Sequence, residues 1–282
     1  MTPALYPYRD PSLPVAQRVE DLLARMTRYE KIGQLYQSFS LPAWRESIVD
    51  LVRKGGIGSR ILTSTAWAGN VQERAAPVAD INELQKVAVE ESRLGIPLIH
   101  GRDIIHGHRT VFPIPLAMAA TFNPELLEAT CAVAAREAAS AGVNWTFAPM
   151  LDIARDPRWG RIIEGAGEDA YLGERMAEAA VWGFQGRDSE RPAPVAACAK
   201  HYVGYGAAEG GRDYNTAEIS DNTLRNVYLP PFQAAVDAGV ATVMSAFHDL
   251  NGEPASGSHY LLTEILKQEL GFTGFIVSDW AS

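Results

Sequence analysis

The chain has 282 residues, 47% of them hydrophobic and 21% charged, enough apolar material for one or two globular domains and too much for a disordered segment. Its 34 acidic side chains outnumber 25 Lys and Arg, and the net charge of −9 repels phosphate backbones, so no nucleic-acid partner is expected. No apolar run reaches bilayer length, so no membrane partner is expected either.

Two cysteines, Cys131 and Cys198, sit in apolar patterns and are expected as small core residues rather than a disulfide framework. Met1 to Asp10 lacks a basic stretch followed by an apolar run. As written the chain is therefore expected in the cytoplasm, and in the periplasm or outside the cell if the true start lies upstream.

In chain order, residues 1–55 are expected to form an N-terminal extension whose first helices pack on a barrel, and 56–282 the barrel domain itself. A strand is predicted over 56–62, and from Asn70 short apolar runs alternate with longer helical patterns. Strand 97–104 comes next, then a helix opened by Asn123-Pro124-Glu125 as cap, first-turn proline and first-turn acid, and closed by Gly142. Strand 144–153 and a helix from Asp169 to Gly186 follow. Strand 195–202 precedes a helix over 222–239, which Pro230-Pro231 must divide. Strand 241–247, a helix over 259–271 and strand 274–278 complete the chain. The strands show little polar alternation, as strands buried on both faces should.

Strand–helix alternation at this spacing implies an α/β fold of parallel βα units. No G-x-G-x-x-G follows the first strand, which argues against a dinucleotide fold. Asp103, Asp152, Lys200-His201, His248 and Asp279 all fall at or just past strand ends. Barrel enzymes carry their active sites on that rim, so the predicted fold is a (β/α)8 TIM-type barrel. About six units are countable against the eight a barrel needs, so the barrel is expected to be incomplete at the C-terminus.

Asp279 ends an apolar strand and precedes Trp280, an arrangement suited to a carboxylate nucleophile beside an aromatic sugar platform; the plainer alternative is a helix cap. Lys200 ends another such strand and needs an acidic partner, Asp103 or a ligand hydroxyl, to offset its burial. Strand alternation would send Lys200 and His201 to opposite faces unless a bulge intervenes. Asp103 could grip two sugar hydroxyls with charge-assisted hydrogen bonds. His106 and His108 admit a metal reading, without matching carboxylates at neighbouring strand ends. Arg155, Arg158 and Arg161 lie among five carboxylates, so most of that charge is expected in structural pairs, with one arginine left to reach a hydroxyl.

Five ordered stretches together resemble glycoside hydrolase family 3, in its bacterial periplasmic β-glucosidase branch. They begin at Asp103-Ile-Ile-His-Gly-His, Phe147-Ala-Pro-Met-Leu-Asp-Ile-Ala-Arg-Asp-Pro-Arg-Trp-Gly-Arg161, Lys200-His201-Tyr-Val-Gly-Tyr-Gly-Ala, Gly210-Gly-Arg-Asp-Tyr-Asn-Thr and Ser278-Asp279-Trp280. The likeness runs from about Pro11 to the end.

The resemblance implies a retaining β-glycosidase acting on terminal β-D-glucosyl or related residues of an oligosaccharide or β-glycoside, without a cofactor or metal. It implies Asp279 as nucleophile, with Asp103, Lys200, His201 and Arg161 binding the −1 sugar and Trp280 beside it; a homo-oligomer is compatible with it. Two departures stand out. Phe247 occupies a place where the family commonly has a tyrosine, and the family's general acid/base comes from a region after the barrel, in a second α/β-sandwich domain. Glu209 is read as an exposed loop carboxylate or a partner for Arg212. The lack of the histidine in a Lys-His-Phe-Pro-Gly-His-Gly pattern disfavours an N-acetylglucosaminidase. Two other readings are a carbohydrate-binding barrel fragment lacking the acid/base and, less favoured, a metal-dependent barrel hydrolase using His106 and His108.

Overall fold

The structure, a computed structural model, describes residues 6–39, 45–62, 78–187 and 194–280. Asn70, where the alternation was read to begin, lies outside them. The chain divides into two compact units, Met1–His100 and Gly101–Ser282.

In the first unit, α1 (Val15–Arg25) leads to α2 (Arg28–Gln34), which opens on a capping box: Glu30 N–H donates to Thr27 Oγ1, and Thr27 N–H donates to the Glu30 carboxylate at 2.8 Å. Parallel strands β1 (Gln37–Phe39) and β2 (Ser59–Ile61) are joined across α3 (Arg45–Arg53). Helix α4 (Val78–Lys86) runs on through a wide turn, Val87–Glu91. Ile48, Val52, Ile57, Leu84, Val87 and Leu98 form its core. Strand β1 was not anticipated. It is three residues long and Gln-Ser-Phe carries no apolar run to mark it.

The second unit holds the candidate site. Strand β3 (Ile99–Arg102) pairs in parallel with β4 (Trp145–Thr146), with α5 (Pro115–Ala119) and α6 (Pro124–Ser140) between them. Asn123 caps α6 by accepting from Leu126 N–H at 3.0 Å, as Asp169 caps α7 (Ala170–Gln185) by accepting from Leu172 N–H. Gly142 and Gly186 follow the two helices with φ of 86° and 85°, the left-handed stop that glycine supplies without strain.

Strands β5 (Cys198–Tyr202) and β6 (Thr242–Ser245) are parallel; α8 (Asp221–Thr223), the wide turn Leu224–Tyr228 and α9 (Pro230–Asp237) connect them. Pro230 divides that helix as expected, since it brings no N–H to continue the ladder. A hairpin, β7 (Asp249–Leu250) with β8 (Glu253–Pro254), and a wide-turn helix, Tyr260–Glu269, precede β9 (Phe275–Val277), which pairs in parallel with β6. Parallel bridges Trp145↔Ala196 and Met150↔Lys200 lay the β4 segment beside β5. Strand order thus follows chain order, as in a βα barrel wall.

The predicted strand over 144–153 shrinks to Trp145–Thr146. Beyond it the chain passes a cis Ala148–Pro149 peptide and keeps bonding to β5 in irregular register: the Ala148 and Pro149 carbonyls accept from Cys198 and Lys200 N–H, and Leu151 N–H donates to the Lys200 carbonyl.

Two polar side chains set the strand starts. The Gln185 side chain, at the end of α7, accepts from Ala197 N–H at 3.0 Å and Ala241 N–H at 2.9 Å, and donates to the Gly239 carbonyl. The Trp145 indole N–H donates to Thr242 Oγ1 at 2.8 Å, and that hydroxyl donates to the Ala197 carbonyl.

Candidate active site

The site gathers where β5 ends. Cys198 through Tyr202 are buried on both faces, and regular pairing with β6 is lost between Ala199 and Tyr202. The Lys200–His201 peptide is cis. With regular pairing lost there, both polar side chains serve the same end of the sheet, where strict alternation would have parted them.

Lys200 Nζ lies 2.8 Å from Asp103 Oδ1, with side-chain exposures of 5% and 20%. Such a pair is held away from water, and each charge needs the other. Burial pushes the Lys200 pKa down, but the charges of Asp103 and Glu164 outweigh that and leave it above the lysine norm. The acidic partner expected for Lys200 is therefore Asp103.

His201 is the hub. Its backbone N–H donates to Asp152 Oδ2 at 3.0 Å, and its Nδ1 lies 2.8 Å from the same oxygen. Its Nε2 faces Arg161 Nη2 at 3.2 Å and Asp279 Oδ2 at 3.5 Å. Burial, then the charges of Arg161 and Lys200, hold the imidazole well below its ordinary pKa, so it is neutral and its contacts are hydrogen bonds rather than ion pairs. Phe247 stacks on the ring, with centroids 6.2 Å apart and planes 13° apart, and Tyr205 meets it edge-on.

Asp279 follows β9 by two residues. Burial raises its carboxyl to about 6 against the lowering pull of Lys200 and Arg161. Asp152 is more enclosed, and burial raises it to about 7 despite the His201 N–H and Arg161. Two carboxyl groups in one site thus titrate near neutrality, a pattern that clusters at functional sites.

Arg161 forks onto Glu164, with Nε at 2.7 Å and Nη2 at 3.0 Å from its two oxygens. Burial opposes the guanidinium charge, and Glu164 more than restores it. Neither of these bonds nor the His201 contact uses Nη1. Arg158 is paired with Asp156 at the surface, a structural ion pair of the expected kind. Trp280 is exposed next to Asp279, with a left-handed backbone (φ 31°).

The structure therefore brings Asp103 to Lys200, and Arg161 and Asp279 to His201. Sequence reasoning placed Asp152 at a strand end but missed its bond to His201; only the fold brings residues 49 apart into register. His106 Nδ1 donates to the Phe112 carbonyl, and among the described residues no three His, Cys, Asp or Glu gather as metal ligands. Glu209 lines a polar cavity with Arg155, Glu168 and Glu218, and none of Asp103, Lys200, His201 or Asp279 borders that cavity.

Comparison with known proteins gives a coherent picture. Residues 27–282 match the model of the glycosyl hydrolase family 3 N terminal domain. A periplasmic beta-glucosidase of Salmonella typhimurium is 43% identical over 93% of this chain, and a putative beta-xylosidase of Formosa agariphila is 35% identical over 96%. The crystal structure of a Listeria innocua beta-glucosidase in complex with glucose superposes with a TM-score of 0.82 at 35% identity, covering 93% of this chain and 37% of that one. The chain spans about a third of the length of these relatives, 33% of the Salmonella protein and 37% of the Formosa protein. It belongs to glycosyl hydrolase family 3, and the domain it matches is that family's N-terminal TIM-type barrel.

Proposed function

We propose that this domain hydrolyses β-glycosides with retention, releasing terminal non-reducing β-D-glucosyl residues through a covalent glycosyl-enzyme on Asp279. The observation that carries this reading is the convergence of Asp279, His201, Lys200 and Asp103 at adjoining strand ends. Asp279 is ionisable near neutrality and can attack an oxocarbenium-like centre. Asp103, Lys200, His201 and Arg161 supply acceptors and donors for the sugar hydroxyls, and Trp280 supplies an apolar face beside them. The glucoside preference rests on relatives named beta-glucosidases; a xyloside is the alternative that the Formosa relative suggests.

Retention needs a second carboxyl about 5 Å from the nucleophile to protonate the leaving oxygen. We assign that acid to the two thirds of the relatives' length that this chain does not match. Residues 56–282 are the proposed barrel domain, with 1–55 an N-terminal extension. The proposed compartment is the periplasm, by analogy with the Salmonella protein.

The test is incubation with an activated 2-deoxy-2-fluoro-β-glucoside followed by intact-mass and peptide mapping, because trapping needs no general acid. A mass increase of one fluoroglycosyl group on the peptide bearing Asp279, absent in Asp279→Asn, is expected. Labelling elsewhere, or none on a folded sample, overturns the assignment and favours a carbohydrate-binding fragment.

A further inference from the structure

His201 has two ring nitrogens, and its surroundings leave only one way to place the proton. Arg161 Nη2 stands 3.2 Å from Nε2, and a guanidinium only donates, so Nε2 must present its lone pair. The proton of the neutral ring then sits on Nδ1, where Asp152 Oδ2 receives it at 2.8 Å. The same oxygen accepts the His201 backbone N–H at 3.0 Å, so ring and main chain hang from one atom. Asp152 is 3% exposed and reaches across from the β4 segment, beside β5 at the Met150↔Lys200 bridge.

We infer that Asp152 is a positioning residue: it locks His201 as the Nδ1–H tautomer, so that Nε2 presents a lone pair that takes a hydrogen from Arg161 and that a sugar hydroxyl can share. This rests on the glycosidase reading above. The lock has a second consequence at the nucleophile. Asp279 Oδ2 lies 3.5 Å from Nε2, close enough for a bond if that nitrogen carried a hydrogen. With a lone pair there instead, His201 donates no hydrogen bond to that carboxylate. Partners that orient an imidazole from behind typically matter by about ten- to a hundred-fold in function. The neutrality of His201, pressed well below its ordinary pKa by burial, and then by Arg161 and Lys200, agrees with this arrangement.

The experiment combines ring 15N spectra of histidine-labelled protein with kinetics on activated aryl glucosides. The His201 signal is assigned from its loss in His201→Gln. In the wild type, Nε2 is expected unprotonated and Nδ1 protonated. Asp152→Asn, whose amide oxygen can take the place of Oδ2, should keep that pattern and hold kcat/KM within a few-fold. Asp152→Ala should release it, giving a tautomer mixture and a ten- to hundred-fold loss. On the 3-, 4- and 6-deoxy glucosides the Asp152→Ala loss should vanish for the one that lacks the hydroxyl facing Nε2. A wild-type proton on Nε2 overturns the inference even if Asp152→Ala does not fold. So does an unchanged tautomer in Asp152→Ala, or an equal loss on every deoxy substrate, the mark of a merely structural role. Wild-type protein with the tautomer locked but no label from the 2-deoxy-2-fluoro-β-glucoside would sink the glycosidase reading alone.

Discussion

A carboxyl group titrating near pH 6 is a poor structural asset and a useful nucleophile. The folded-state pKa of Asp279 lies above its unfolded value of 3.8, so its ionisation opposes folding as pH rises from about 4 through 6. In the proposed mechanism, however, the ionised form is the one that attacks. The kcat/KM for an activated aryl glucoside should therefore fall on the acid side with a limb near pH 6, since that parameter reports the free protein. A profile flat down to pH 4.5 would show that the reacting group is not the buried Asp279. At this scale the sequence was informative about identity and, apart from Lys200, silent about pairing. Lys200 at the end of an apolar strand demanded an acid, and Asp103 is that acid. Nothing in the linear order tied Asp152 to His201, because that bond depends on which strand ends the fold brings side by side, whereas the Arg161–Glu164 fork is a local pair three residues apart.

Among the elements, α6 and α7 approach each other closely. A Cβ placed on Gly183 would stand 2.5 Å from Cys131 Cβ and 2.6 Å from the Glu128 carbonyl oxygen, so the helices meet there at backbone distance. The Arg187–Glu128 pair, with Nε at 2.7 Å, closes the same seam just past the end of α7. Replacing Gly183 with valine should lower the stability of the second unit by about 1–3 kcal/mol, the usual cost of overpacking, and chemical denaturation with an unchanged m-value would measure it. No shift in midpoint would mean the seam opens freely.

The helix ends were legible because their signals are local: Asn123, Asp169, Gly142 and Gly186 each stand where their side chains or dihedrals require. The wide turns at Leu224–Tyr228 and Tyr260–Glu269 were not, since an apolar stripe looks alike at neighbouring helical periods. The segment after Thr146 escaped for a related reason. Its apolar composition suits a strand, while its bonds to β5 run in irregular register rather than as a ladder.

Over the whole molecule, the cysteines offer a built-in probe of opening. Cys131 lies on α6 and Cys198 in β5, both without disulfide partners, and burial pushes each thiol up to about 12. Neither should react with a thiol reagent at neutral pH while the second unit stays closed. With increasing urea, modification of both should rise together with the loss of tryptophan signal. Labelling of one alone in native buffer would reveal a sub-global opening. The fold class was legible at this scale because alternating strands and helices with chemistry at the strand ends admit few architectures.

The Gln185 amide carries this further. It ties the starts of β5 and β6 to one helix residue, and Lys200 stands three residues past Ala197, roughly 10 Å along the strand. Both strands therefore measure their length from a shared origin. A slip at that origin would misplace Lys200 and Ser245 at the far end by the same step, so the accuracy of the candidate site is kept at the opposite ends of the strands that carry it.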